Sequence, residues 1–230
     1  MRKIIGILLI GVLTACNNVG VTETEVQAVQ SVLDFYGGIC NRHKGFEAKN
    51  GETDTYFELE MSQSELVESY SNMLELPASN IAYLFYSNLN DEQDNYTYVK
   101  VKINLSNGQS HEYSYSARDL KEIESLTPLL QSITDKIKAQ DYEGLISQFD
   151  KNIASNLTSE QLKAYCVPYD SAYGRVDNTQ FQGYSFFEGE TDNRPLAHIA
   201  GIMIRENENT PISLFIDRKS KKVVTMKYDF

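Results

Sequence analysis

The 230-residue chain has no tryptophan, three cysteines and no apolar run long enough to cross a membrane. Its longest apolar stretch, residues 4–13, is about ten residues long, whereas a spanning helix needs about 20. The cysteines lie far apart and lack the spacing of a zinc site, as do the three histidines, so no metal and no cofactor are predicted. Cys40 and Cys166 could form one disulfide in an exported protein, but two unpaired thiols are the simpler expectation.

Basic residues are also scarce. The chain has 21 Lys and Arg against 32 Asp and Glu, which gives a net charge of −11. Nucleic acid would be repelled by this charge and is therefore not predicted as a partner. A basic protein would instead be attracted to the chain by electrostatic steering.

The N-terminus has the features of a secretory signal. Arg2 and Lys3 precede the short apolar stretch, which ends in Leu13-Thr14-Ala15-Cys16. A charged start, a short apolar region and small residues before the cleavage site are typical of a cleaved signal peptide. The segment resembles a bacterial lipoprotein signal with its lipobox, which implies cleavage before Cys16 and attachment of a palmitate-bearing lipid there.

This resemblance predicts a signal peptide at residues 1–15, a tether at 16–22 and membrane attachment through the lipid on Cys16. The predicted location is the bacterial cell envelope. Because Asn17 rather than aspartate follows the cysteine, the outer membrane is favoured if the source has two membranes.

Residues 23–118 are predicted to form an N-terminal α+β domain. Apolar side chains at three- and four-residue spacing predict a helix over residues 25–36. A charged, glycine-containing loop is expected at 41–54, and Asn107-Gly108 predicts a tight hairpin turn. The other expected elements are strands at 55–61, 81–89, 96–105 and 111–116 and a helix at 64–73.

Residues 119–230 are predicted to form a second, cone-like α+β domain. A short connecting helix over 120–126 should be followed by a fresh helix whose N-cap is Thr127 and whose first residue is Pro128. Two further helices are expected over 141–149 and 158–165. The strands that follow are expected at 180–187, 196–205, 211–217 and 222–230. Helices followed by an antiparallel meander predict an α+β fold in both domains, with helices packed on a curved antiparallel sheet.

The second half resembles the nuclear-transport-factor-two-like cone superfamily over residues 127–230. The likeness lies in residues 136–145 with Phe149, in residues 157–162, in Gly174-Arg175-Val176 and in residues 222–228. The resemblance implies a curved sheet wrapped around a helical layer. A duplicated cone in the first half stays open, because no residues there align.

Enzymes of that superfamily that resemble cyclases and dehydratases use an acid and a histidine inside the cone. His198 is the candidate here, since its strand parity places it with Leu196, Ala200 and Ile202. If apolar residues mark the interior, His198 faces in, whereas Asp217, with the parity opposite to Leu214 and Ile216, faces out, so the two are not expected to meet. No catalytic residue is assigned, and the candidate ligand-binding residues are His198, Tyr184 and Phe186.

The sequence therefore predicts a lipid-anchored, non-enzymatic envelope protein that binds a small molecule, a peptide or an envelope partner. One alternative is an immunity or inhibitor lipoprotein that binds a basic toxin or enzyme. The other is a cyclase- or dehydratase-like enzyme with its site in the cone pocket.

Overall fold

The computed structural model describes residues 20–49, 52–189 and 193–230, without the side chains of Lys49 and Glu52. The α-helices of these residues are α1 (Glu23–Tyr36), α2 (Glu65–Ser69), α3 (Glu75–Ser87), α4 (Ala117–Lys138), α5 (Tyr142–Ile146), α6 (Lys151–Ala154) and α7 (Ser159–Tyr173), with a 3₁₀ helix at Asn90–Asn95. The strands are β1 (Ile39–Lys49), β2 (Glu52–Ser62), β3 (Tyr98–Asn104), β4 (Ser110–Ser116), β5 (Val176–Glu188), β6 (Pro195–Arg205), β7 (Thr210–Asp217) and β8 (Lys222–Lys227).

The strands form two four-stranded sheets in the orders β1-β2-β3-β4 and β5-β6-β7-β8, which confirms the predicted α+β class with two sheet-based parts. The second sheet is an antiparallel meander, as predicted. In the first sheet β2 and β3 are parallel, so the expectation of an antiparallel sheet fails at this pair. Parallel neighbours need a crossover connection, and α2, α3 and the 3₁₀ helix provide it.

Two stretches of the first half were predicted wrongly. The expected loop at 41–54 contains most of β1 and the start of β2, which pair from Ile39↔Ser62 to Lys49↔Glu52. β1 is an edge strand with exposed polar residues, so its sequence lacks the apolar alternation that marks a half-buried strand. The expected strand at 81–89 lies largely in α3, whose residues 77–82 are all buried. A short apolar run does not distinguish a buried helix from a buried strand.

The two helices expected at 120–126 and from Thr127 onward are one helix, α4, with Pro128 inside it. The hydroxyl of Thr127 donates to the carbonyl of Ile123 at 2.8 Å instead of capping a new helix. The predicted domain boundary at residue 118 or 119 therefore lies in the first turn of α4. That the two halves fold independently stays a prediction.

Helix α3 contacts both sheets. It packs on β3 and β4 of the first sheet and on β5 of the second. The backbone N–H of Tyr184 in β5 donates to the hydroxyl of Ser79 in α3 at 2.8 Å, and the amide of Asn80 donates to the carbonyl of Phe181 at 3.4 Å. Gly183 allows this approach, since a Cβ there would lie 2.4 Å from the carbonyl oxygen of Leu76. One hydrophobic cluster runs through both halves.

Candidate functional site

A pocket of about 660 Å³ lies between the start of α1 and the edge strand β1. We call it the α1–β1 pocket. Its walls come from residues 20–22 with Glu25, from residues 42–46, and from Thr55, Tyr56, Asn95 and Tyr96. It lies on the free edge of the first sheet, because β1 pairs with β2 on one side only.

A buried ion pair forms one wall of this pocket. Glu25 is 1% exposed, and the ammonium of Lys44 lies 2.7 Å from its carboxylate. The phenol of Tyr96 also donates to Glu25. Burial alone would raise the pKa of Glu25, but the hydrogen bonds from Lys44, Tyr96 and the backbone of Thr22 together lower it. Glu25 is therefore held as a carboxylate.

The same glutamate fixes the start of α1. Thr22 is the N-cap, and it exchanges hydrogen bonds with Glu25 in a capping box. The ammonium of Lys44 also donates to the carbonyl of Gly20 at 3.2 Å. Residues 20–22, the described end of the predicted tether, are thus attached to β1 and α1.

Exposed side chains surround the mouth of the pocket. Phe46 is 76% exposed and Val21 is 43% exposed, and both line this pocket. Two exposed large apolar residues at one pocket are typical of an interaction surface. The ring of Tyr56 lies over β1 at Gly45, where a Cβ would come within 2.5 Å of the phenol oxygen. Arg42 is exposed. The mouth therefore combines apolar and aromatic surface with one guanidinium.

Two further acids of this sheet have basic partners. Lys100 binds Glu47, and Lys102 lies 3.1 Å from Glu60. Hydrogen bonds from Asn104 and Lys102 lower the pKa of Glu60 to about 2. Within residues 20–49, 52–189 and 193–230, no ion pair joins Arg42 to an acid. Arg42 thus remains available to an anionic ligand.

A second pocket of about 510 Å³ lies in the other half, lined by Lys138, by residues 175–177 and by residues 204–206. Two of its three cations are paired with acids. The ammonium of Lys138 lies 2.8 Å from Asp177, and the guanidinium of Arg205, with a fully buried side chain, lies 2.7 Å from Asp170. This arrangement favours a structural role for Lys138 and Arg205, whereas Arg175 is exposed and forms no ion pair among the described residues.

The predicted ligand-binding residues do not meet in one site. Tyr184 and Phe186 point to the helical side of the second sheet, where Tyr184 is 4% exposed and the guanidinium of Arg218 lies 3.9 Å from the ring of Phe186. His198 pairs with Ser185, which lies between Tyr184 and Phe186 on β5. The side chain of His198 therefore faces the opposite side of the sheet. None of the three lines the α1–β1 pocket.

The orientation predicted for His198 is wrong. It shares a face with Leu196, Ala200 and Ile202, as predicted, but the helices pack on the other face, which carries Ala197, Ile199 and Met203. Both faces of β6 are rich in apolar residues, so strand parity alone did not identify the interior. His198 stacks on Phe215 with 4.8 Å between ring centroids.

Among the residues that the structure describes, no carboxylate forms a hydrogen bond or ion pair with His198. Its Nε2 lies 2.9 Å from the hydroxyl of Ser213, and that hydroxyl donates to the carbonyl of Asp229. Ser213 therefore has no proton to give to His198. Asp217 faces out as predicted, but its carboxylate accepts from the backbone N–H groups of Lys219 and Ser220 in the β7–β8 turn. This geometry gives no support to the cyclase or dehydratase alternative.

The remaining predicted positions are cysteines. Cys16, the predicted lipidation site, lies outside the described residues. Cys40 and Cys166 are free thiols, and burial raises the pKa of Cys40 to about 12. In the part of the chain that the structure describes, no cluster of His, Cys, Asp and Glu could hold a metal ion, and no helix is long and apolar enough to cross a membrane.

The α1–β1 pocket was not predicted from the sequence. Its residues 42–46 lay in the segment expected to be a loop. The signal that could have drawn attention is the run Arg42-His43-Lys44, three adjacent basic or titratable residues in a strongly acidic chain, followed by Gly45-Phe46.

Comparison with known proteins gives one partial likeness. No family model matches the chain, and no solved structure matches it. The chain is 23% identical over 111 residues to polyisoprenyl-teichoic acid–peptidoglycan teichoic acid transferase TagU of Enterococcus faecalis. The match covers 44% of this chain and 37% of that protein.

This likeness corrects one prediction. The protein was predicted from its sequence not to be an enzyme, whereas the relative is named as a transferase. The expectation of a non-enzymatic protein is therefore contradicted.

Proposed function

We propose that the protein works at the bacterial cell envelope, held there by the lipid on Cys16, and that its α1–β1 pocket binds a phosphate-linked envelope polymer. The observation that carries the proposal is the similarity to a protein named for teichoic acid and peptidoglycan, both of which are envelope polymers. The lipobox resemblance of residues 13–16 supports the same location. We also propose that residues 127–230 have the cone-like fold that their resemblance to the cone superfamily implies.

The charge distribution supports the choice of pocket. A polyanion is repelled by a chain of net charge −11, so it needs a local cation that no acid of the protein has neutralised. Arg42 is such a cation, and a guanidinium binds phosphate through two parallel hydrogen bonds. Phe46 lies four residues further along β1 on the same face of the strand, lines the same pocket, and offers apolar surface to the polyol or sugar units between phosphates.

The test is binding of a poly(glycerol phosphate) teichoic acid to the full chain, purified in detergent and followed by calorimetry. Arg42→Gln should weaken binding about tenfold, because one charge-assisted contact is lost. Arg175→Gln is the matched control, since Arg175 is also exposed but lines the other pocket. Absence of binding, or an equal loss in both variants, would reject the proposal.

The alternative of an inhibitor with a basic protein partner predicts the opposite selectivity. Such a protein would be captured by polycations rather than by the teichoic acid, and Arg42→Gln would not weaken its capture.

A further inference from the structure

We infer that the edge of the first sheet around Phe46 lies against the membrane, so that the α1–β1 pocket opens onto the lipid headgroups. This inference rests on the lipid anchor at Cys16 in the proposed function. It adds the face of the folded protein that touches the bilayer and the residues that make the contact.

The first argument is the short reach of the chain between the anchor and the fold. Gly20 follows Cys16 by four residues, which span at most about 14 Å when fully extended. The carbonyl of Gly20 accepts a hydrogen bond from Lys44 on β1 at 3.2 Å. The point where the described chain begins is thus bound to β1, two residues away from Phe46.

The second argument is the nature of the surface at that point. Phe46 is 76% exposed, the largest exposed fraction among the large apolar residues that the structure describes. Val21, at 43%, lines the same pocket. Aromatic and apolar side chains with basic neighbours are the residues that settle into a membrane interface.

The third argument is the charge. Two acids near this surface are paired with lysines, Glu25 with Lys44 and Glu47 with Lys100. Arg42 lies four residues before Phe46 on the same face of β1, is exposed, and forms no ion pair in the described part of the chain. Anionic headgroups repel the rest of this acidic chain and attract the exposed Arg42. Both effects turn the sheet edge around Phe46 toward the bilayer.

The absence of tryptophan provides a direct test. Phe46→Trp places the sole tryptophan of the full chain at the proposed contact. Phe187→Trp is the matched control, since Phe187 is 38% exposed and lies on the second sheet. Each lipidated variant is reconstituted in vesicles of phosphatidylethanolamine and phosphatidylglycerol, with or without brominated acyl chains, which quench nearby tryptophans.

We expect the emission of the Phe46→Trp variant to shift to the blue on vesicles and to lose about half of its intensity to brominated lipid, as for a ring at the headgroup boundary. The Phe187→Trp variant should show neither change. If both variants float with the vesicles and the Phe46→Trp variant is not quenched, or both are quenched alike, the inference is wrong.

Failure of the anchor itself is detected separately. Cells are labelled with an alkynyl fatty acid, and label on the wild-type chain but not on Cys16→Ala shows lipidation. Unlabelled wild-type protein that does not float would reject the lipid anchor and this membrane contact together, whereas labelled protein with an unquenched Phe46→Trp variant would reject only the contact.

Discussion

Each half of the molecule buries one cation against a carboxylate, in different surroundings. In the second half, the guanidinium of Arg205 donates to Asp170, to the hydroxyl of Thr210 and to the carbonyl of Gly174. In the first half, Lys44 has a single flexible ammonium, which joins Glu25 and the carbonyl of Gly20 at the wall of an open pocket. Arg205 fastens the end of α7 to β6, whereas Lys44 fixes the point where the chain enters α1.

The outer faces of the two sheets also differ in charge. The outer face of the first sheet carries paired charges, such as Lys102 with Glu60, beside a free edge strand. The outer face of the second sheet carries Phe187 and His198, whose rings both contact the ring of Phe215. The first half therefore combines a charged sheet face with the larger of the two pockets described above, which is why the proposed function is assigned there.

The largest effect should come from removing the acid of the buried pair in the second half. Asp170→Ala leaves the fully buried Arg205 side chain without its carboxylate, so we expect the free energy of unfolding to fall by about 3–5 kcal/mol. Urea unfolding measures this change. Asp177→Ala is the matched control, because its pair with Lys138 is exposed and the free energy of unfolding should stay unchanged. An equal loss of stability in the two variants would mean that the Arg205–Asp170 pair is not what holds α7 to β6.

The next effect concerns the contact between the halves. Gly183 has a φ of +152° and a Cβ there would meet the carbonyl of Leu76 at 2.4 Å, so Gly183→Ala must push β5 away from α3. We expect a loss of about 3 kcal/mol in the free energy of unfolding. Gly108→Ala also has a positive φ but nothing within 4 Å, and it should cost only about 1 kcal/mol.

Gly183→Ala also tests the predicted domain boundary. If residues 23–118 and 119–230 fold independently, Gly183→Ala should lower only one of two unfolding transitions. A single transition that moves as a whole would show one fused core and overturn the two-domain prediction.

How far the sequence predicted this fold depends on periodicity. The amphipathic helix at 25–36, the Asn107-Gly108 hairpin and the four strands of the second half had clear periods or turn residues, and the structure confirms them. Helix α3 was missed because it is apolar on nearly all sides, and β1 because it is polar on both. The candidate site was missed with β1, since no local pattern shows that residues 20–25 return to lie against residues 42–46.

A smaller effect is expected for the pair in the first half. Glu25→Gln keeps the shape of the side chain but leaves Lys44 without a negative partner, so we expect a loss of about 2 kcal/mol. Glu47→Gln is the control, because the carboxylate of Glu47 is 60% exposed and its removal should have no measurable effect.

This pair should also respond to pH. The pKa of Glu25 is lowered in the fold from its ordinary value of 4.5, so the stability it contributes is complete above about pH 4.5 and is lost as the pH falls through the folded value. The difference between wild type and Glu25→Gln should therefore shrink in acid. A difference that stays constant down to low pH would show that the carboxylate charge is not what stabilises this wall of the pocket.

The smallest effect is expected for His198. Its ring is stacked on Phe215 at an outer sheet face, so His198→Phe should change the free energy of unfolding by less than about 1 kcal/mol at pH 8. Burial, with a smaller contribution from Lys227, lowers the pKa of His198 below 6.5, so the wild type loses stability as the pH falls below that value and the folded protein resists protonation. His198→Phe removes this loss, and urea midpoints at about pH 8 and about pH 5 should therefore lie closer together in the variant than in the wild type. If the midpoints lie equally far apart in both proteins, His198 does not cause the acid sensitivity, and its ring is more exposed in solution than the stack on Phe215 implies.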